Sequence, residues 1–386
     1  MRKLDPPRKP GAFLPTLPRA HLEILMPLTY ERVDTIVLEP YEQVLGLETV
    51  ELMSRQVVAG KKRYVVVSTG SARGEDAAVR GRILMYEIIQ VMPHPNYPHQ
   101  NYRFKCVYTH EEKAPVTAIA GLAGYLVAAT GQRIMIYSFE EGDELVGVGF
   151  QDISNYAVSL AALKRMVIVS DITKSVSLLA FQEYPPKLTL VSRDYHSLPV
   201  LSAEFLVREG QLGLLAFDAD RNLHVLRYAP DGVSTDGGQR LVRGGEFHID
   251  TDVHRVVRIQ HATGAPAHLA LALGADGAVA IVQTVDESLF RRCYALYARM
   301  VSVLPPVAGL NARGYRQIRM AQRPLQGVAE TTISRPGGKM VLDGEFLRRY
   351  LFLPRKQQIS LAAAIGSTVN RILLDLALLF DGCNYF

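Results

Sequence analysis

The sequence predicts a mainly β protein: a β-propeller of four-stranded blades followed by a small C-terminal α-helical domain. Three observations carry that prediction. First, in Lys164–Asp194 the apolar runs Met166–Val169 and Val176–Ala180 flank a polar turn at Asp171–Ser175. Both runs are too short and too β-branched for a helix, so they read as a hairpin. Met166 and Ile168 face one way and Val167 and Val169 the other, so the sheet needs cover on both faces, as stacked blades provide. Second, the strand–turn–strand pattern recurs from Lys62, Gly124, Gln211 and Ala267. The turns at Thr130, Asp171, Asp218 and Gly274 are spaced by 41, 47 and 56 residues. Four-stranded blades repeat at roughly 40–50 residues. Unrelated hairpins in a sandwich are the alternative. Third, at Asp286 the apolar period changes from about 2 to about 3.6, which marks a switch from strands to helices.

Taken in order, residues 1–18 are rich in proline and basic side chains (Pro6, Pro7, Pro10, Pro15, Pro18) and read as an extended arm, with a weak nuclear-targeting character. The propeller region is 19–285. His21–Met26 and Arg32–Leu38 look like the second half of a blade. Four complete blades follow at about Gln43–Tyr108, Pro115–Phe150, Tyr156–Arg193 and Val200–His248. Val253–Ile259, Leu269–Gly274 and Ala278–Thr284 give three strands, which the pair at the start could complete into one closing unit, since closure protects strand edges. An open ring that needs a partner is the alternative. Gly70–Gly81 and Met92–Asn101 are long loops suited to partner contacts.

The helical domain is 286–386. Leu289, Cys293, Leu296, Met300 and Leu304 form one apolar stripe, ended by Pro305-Pro306. Leu310–Ala321 reads as a second helix, Arg323–Lys339 as a flexible link, and Gly344–Phe352 and Gln357–Ile365 as two more helices. Ser367 or Thr368 caps a last helix carrying Val369, Ile372, Leu373, Leu376 and Leu379.

A chain of 386 residues with 48% hydrophobic content can bury a sizeable core. Cys106, Cys293 and Cys383 are scattered, with neither disulfide nor zinc spacing, which suggests a reducing compartment. The richest apolar run, Ile372–Phe380, is too short to span a bilayer and contains Asp375, so no membrane association is expected. The formal charge of +5 is uneven: residues 1–10 carry +3 and the chain from Asp286 carries +7, leaving −5 between them. A basic C-terminal segment suits acidic partners, RNA among them, or is simply a solvated helical surface. Its candidate contact residues are Arg313, Arg316, Arg319, Arg348 and Arg349. Tyr102 and Phe104 alternate with Arg103 and Lys105, as a base-stacking strand would, although a blade-edge strand gives the same pattern and is the preferred reading.

The search for catalytic or metal chemistry returns little. Asp218-x-Asp220-x-Asn222 imitates a calcium loop, but Leu223 and Ala229 stand where glycine and glutamate belong, so it reads as a hairpin turn. Gly147-x-Gly149 and Gly244-Gly245 open no helix and make no phosphate cradle. His248 and His254 flank Asp250 and Asp252 without a third ligand or a nucleophile motif, and read as strand-end histidines. No enzyme, cofactor or metal is indicated.

Nine strings occur in order: ILMPLTYERVDTIVLEPYE, RGRILMYEI, PVTAIAGLAGYLVAATGQRIMIYSF, VSDITKSVSLLAFQ, LTLVSRD, QLGLLAFDADRNLHVLRY, GGQRLVRGGEFHI, LPPVAGLNARGYR and VLDGEFLRRYL. Together they resemble the C-terminal region of the large propeller subunit of the cleavage and polyadenylation specificity factor, that is, its third propeller and helical domain. The same architecture is shared by the large subunit of the damaged-DNA-binding complex and by a propeller subunit of a splicing factor. GGQRLVRGGEFH and PVAGLNARGYR favour the polyadenylation member. The resemblance implies a nuclear, non-catalytic scaffold in pre-mRNA 3′-end processing, holding WD-repeat and zinc-finger subunits that read AAUAAA, with pre-mRNA contacted indirectly. It leaves a ubiquitin-ligase adaptor and a direct RNA binder as alternatives. Family members carry two propellers before this region, so the chain is expected to be a fragment, a split product or a reduced version, with separately encoded propellers as candidate partners that would complete it.

Overall fold

Strands that are apolar on both faces require a neighbouring sheet on each side, and the computed structural model supplies one. It describes residues 18–380 apart from 55–59, 73, 76–77, 94–100, 140–143, 209–210, 233–234, 261–267, 307–308, 310, 323–330 and 336–339. Nearly all of the expected N-terminal arm and most of the loop at Met92–Asn101 lie outside the described residues.

A short hairpin, β1 (His21–Leu25) with β2 (Arg32–Val37), precedes four up-and-down sheets. The first holds β3 (Glu42–Met53), β4 (Lys61–Ser71), β5 (Gly81–Gln90) and β6 (Tyr102–Glu112), and the second β7 (Val116–Leu122), β8 (Tyr125–Thr130), β9 (Arg133–Phe139) and β10 (Leu145–Asp152). The third holds β11 (Ala157–Leu163), β12 (Met166–Asp171), β13 (Ser175–Gln182) and β14 (Lys187–Arg193). The fourth holds β15 (Val200–Arg208), β16 (Gln211–Asp218), β17 (Asn222–Arg227) and β18 (Val242–His248). A three-stranded sheet follows with β19 (Val253–Gln260), β20 (His268–Gly274) and β21 (Val279–Gln283).

The sheets stack as propeller blades. The inner strands β3, β7, β11, β15 and β19 each pack on the next. Within the third blade, Val167, Val169 and Leu179 join Val127, Ile134 and Ile136 of the second, while Ile168, Val176 and Leu178 join Phe205, Leu214 and Leu226 of the fourth. The alternation expected from the sequence is therefore realised. Each such fully buried aliphatic side chain contributes about 1.5–3 kcal/mol. The pairing of every inner strand slips by one residue near its start: between Val44 and Gly46, Val116 and Ala118, Ala157 and Ser159, Val200 and Ser202, and Val253 and Arg255. A bulge adds local twist. Near two of these slips a hydroxyl bonds the next blade: Thr117 Oγ1 donates to the Ala157 carbonyl (2.6 Å) and Ser202 Oγ to the Val253 carbonyl (2.9 Å).

The expected closing unit does not form. β1–β2 remains a separate two-stranded sheet, and β19–β21 remains three-stranded. The hairpin instead lays Leu22 and Ile36 on Val67, Leu84 and Tyr86 of the first blade, and Asp34 Oδ2 accepts the Phe104 N–H at 2.8 Å.

The C-terminal segment begins with α1 (Glu287–Val303), whose Leu289, Cys293, Leu296 and Met300 are buried as the stripe predicts. A second departure follows. In place of a helix over Leu310–Ala321 there is one turn, α2 (Ala312–Tyr315), and then β22 (Ile318–Gln322), paired with β23 (Thr331–Arg335) inside the expected link. Gly314 weakens the helix, and the backbone of Arg316 and Arg319 is claimed by the fourth blade, as described below. α3 (Gly344–Arg348) continues into a 3₁₀ turn at Arg349–Phe352, then α4 (Arg355–Ala364) and α5 (Val369–Phe380). Thr368 Oγ1 accepts the Arg371 N–H at 3.3 Å, the cap the sequence suggests. α1, α3, α4 and α5 share one apolar core, and the Arg292 guanidinium forks onto the buried Asp375 carboxylate at 2.8 and 2.9 Å. Among the described residues no single helix is long and apolar enough to cross a membrane.

Candidate interaction site

Three of the strings singled out in the sequence, around Gly244–His248, Asn311–Arg319 and Val341–Tyr350, meet at one place: the junction of the fourth blade with the C-terminal segment. It is built on a turn. Asp218 closes β16, and its Oδ1 accepts the Asn222 N–H at 2.7 Å across a turn in which Arg221 takes a φ of 63°. The calcium-like spacing is thus used for a hairpin, as expected.

Asn222 is fully buried, and its amide is saturated. Nδ2 donates to Asp218 Oδ2 (3.0 Å) and to the Arg319 carbonyl (2.6 Å), and Oδ1 accepts the Arg319 N–H (3.2 Å) and faces His248 Nδ1 (3.0 Å). The reverse amide orientation would aim its oxygen at a carboxylate and a carbonyl, so the partners fix it. Asn222 thereby holds β22 as a neighbouring strand residue would. Beside it the His248 N–H donates to the Arg316 carbonyl at 3.5 Å.

Arg316 locks the same junction from its side chain. Nε donates to Asp343 Oδ2 at 2.7 Å, Nη1 to the His248 carbonyl at 3.3 Å and Nη2 to Glu345 Oε2 at 3.2 Å, with the guanidinium 4.9 Å from the Phe247 ring centre. Gly245 leaves the room this needs, because a Cβ there would sit 3.0 Å from Val341 Cγ2 and 3.3 Å from Met340 Cβ.

Behind the junction lies a buried ionic chain. His224 Nε2 donates to Asp218 Oδ2 at 2.8 Å, and His224 Nδ1 lies 3.5 Å from Glu246 Oε1. Arg243 bridges Glu246 (3.1 Å) to Asp194 (3.1 Å), and Asp194 also holds Ser175 Oγ (2.9 Å) and His196 Nδ1 (2.6 Å). Burial opposes charge on His224, but its two carboxylates outweigh burial and raise its pKa above the ordinary 6.5. His248 moves the other way: burial and then the Arg319 cation hold it below 6.5, against the pull of Asp250. Asp194 lies below its ordinary range despite burial, through its bonds to His196 and Ser175 and the Arg243 charge.

Of the basic residues named from the sequence, Arg313 lies on α2, Arg316 caps its end and Arg319 lies on β22, and Arg348 and Arg349 sit on α3 and the turn after it. Arg313, Arg319 and Arg348 are exposed, whereas every guanidinium nitrogen of Arg316 is engaged. Arg319 reaches Asp250 at 3.8 Å. Tyr102 and Phe104 stand apart on β6: Tyr102 is exposed, and Phe104 packs edge-on against Tyr86 at 5.6 Å. His248 and His254 are not joined; His254 is exposed at the start of β19. Sequence reasoning took Asn222 only as part of a hairpin turn and passed over His224 and Glu246. The Asp-x-Asp-x-Asn spacing was the available signal for the first, and alternation along β17 and β18 for the others.

Among the described residues no group of three or more His, Cys, Asp and Glu is placed to hold a metal ion. What the arrangement does is fasten a helical domain to a blade while presenting arginines around the fastening.

Residues 19–352 match the family model described as the CPSF A subunit region. The chain is similar to cleavage and polyadenylation specificity factor subunit 1 of Drosophila melanogaster, 32% identical over 365 residues, which is 92% of this chain and 24% of that protein. It is similar to Protein cft1 of Schizosaccharomyces pombe, 27% identical over 384 residues, covering 97% of this chain and 26% of that protein. A probable cleavage and polyadenylation specificity factor subunit 1 of Oryza sativa subsp. japonica is 31% identical over 357 residues, 90% of this chain and 24% of that protein. The chain spans about a quarter of the length of these relatives.

Proposed function

Because the chain belongs to the CPSF A subunit region family, we propose that it is a nuclear, non-catalytic interaction scaffold in pre-mRNA 3′-end cleavage and polyadenylation. The match over residues 19–352 carries the reading, together with relatives named as subunit 1 of the cleavage and polyadenylation specificity factor. A rigid stack of blades with a helical domain fastened to its side supports such a role, since it offers many loops and faces in fixed relation. The partners proposed are the WD-repeat and zinc-finger subunits that read AAUAAA, and separately encoded propellers beside this one. Affinity purification with mass spectrometry tests it. Recovery of those subunits is the expected result, and recovery of cullin-ligase components in their place would move the chain to the ubiquitin-ligase reading.

A second reading, direct RNA contact, is favoured by the exposed Arg313 and Arg348, which have no ion pair among the described residues. It requires that purified protein bind an AAUAAA oligonucleotide with an affinity that falls steeply with salt.

A further inference from the structure

We propose that the groove between the end of α1, the start of α2 and the turn after α3 takes an acidic peptide of a partner protein, anchored by one large apolar side chain. The groove has a volume of about 260 Å³ and is lined by Val301, Leu304, Pro305, Ala312, Phe346 and Arg349 among others. Apolar side chains supply most of its lining residues, with the polar Asn311 and Arg349 among them, and it is large enough for one aromatic side chain. Buried anchors of that kind dominate peptide and protein recognition.

The rim supplies the charge. The Arg349 guanidinium lies 5.6 Å from the Phe346 ring centre, and among the described residues no carboxylate pairs with Arg349 or with the nearby Arg313. The carboxylates of the same segment, Asp343 and Glu345, are both committed to Arg316. Acidic residues flanking the anchor would meet unpaired guanidinium groups, which bind carboxylates in forked geometry.

A second feature points the same way. Phe352 is 77% exposed, and Arg349 and Phe352 open and close one 3₁₀ turn, in which residues three apart lie on the same face. An exposed phenylalanine beside an unpaired arginine continues the groove's surface outward. RNA fits less well. Asn311, the one polar uncharged side chain in the lining, already accepts the Arg313 N–H at 2.9 Å through its oxygen, and Val301, Leu304, Pro305 and Ala312 offer no side-chain hydrogen bond to a base edge.

The proposal stands independently of the role in 3′-end processing. Its test uses the full chain and three fluorescein-labelled probes: the peptide Gly-Glu-Glu-Phe-Glu-Glu-Gly, the same peptide with alanine for phenylalanine, and a hexamer of uridines. The phenylalanine peptide is expected to bind at least tenfold tighter than the alanine peptide. Arg349→Glu should weaken it at least tenfold and Phe352→Glu several-fold, with unchanged circular dichroism. Because Phe352 is exposed, its variant probes the surface without disturbing the core. Equal binding of the two peptides, indifference to both variants, or binding of the uridine hexamer alone would each overturn the proposal.

Discussion

Arg316 commits its whole guanidinium to the junction, so removing it leaves Asp343 and the His248 carbonyl short of a partner. Arg316→Ala should cost about 2 kcal/mol, more than an exposed ion pair and less than a fully buried one. Urea denaturation followed by circular dichroism reads this directly. His248 adds a pH dependence. Its pKa is held below 6.5 in the folded chain, so its contribution is present above that value and is lost as pH falls through it. His224, raised above 6.5, has the opposite slope. The clean measurement is therefore a difference: between pH 7.5 and 5.5 the wild-type melting temperature should fall more than that of His248→Gln. Equal falls would remove His248 from the account. None of this was legible in the sequence, where Arg316 looks like any other surface arginine of a basic segment. Its partners lie on β18 and α3, and pairing across that distance leaves no local pattern.

At the scale of elements the sequence was far more informative, because strand alternation and turn chemistry are local. Val167 and Ile168 fall on opposite faces as their two-residue period demands, and both are fully buried. Leu178→Ala should cost about 2–5 kcal/mol, since it opens a cavity between two blades that are each anchored elsewhere. Gly81 is the tighter case. A Cβ there would stand 2.6 Å from the Ala114 carbonyl, 2.7 Å from the Thr69 carbonyl and 2.7 Å from the Val116 nitrogen, all of them backbone. Gly81→Ala should therefore destabilise by about 1–3 kcal/mol, read as a lower melting temperature; an unchanged value would mean that the first two blades part more easily than their packing suggests. Where the period misled, over Leu310–Ala321, long-range hydrogen bonds from Asn222 and His248 draw the backbone into a strand that helical spacing cannot foresee. The missing closing unit is a similar case: a count of strands does not say which face the β1–β2 hairpin will cover.

For the whole molecule, the C-terminal helices are tied to the blades at two places among the described residues. Arg316 and Arg319 hold them to the fourth blade, and Gln283 Nε2 donates to the Leu379 carbonyl from the fifth. Arg208 adds to the second tie, donating to the Thr284 carbonyl at 2.9 Å and pairing with Asp286. Limited proteolysis should accordingly degrade wild-type blades and helices together. With Arg208→Ala and Arg316→Ala combined, the first stable fragment should end near residue 285; simultaneous loss of both parts would show that the ties are dispensable. The repeated slip near the start of every inner strand has a consequence of its own. One slip near the start of each inner strand gives every one of these five sheets its own local source of twist. A sheet added ahead of the first blade would have to displace the β1–β2 hairpin, whose Leu22 and Ile36 already occupy that blade's outer surface against Val67, Leu84 and Tyr86.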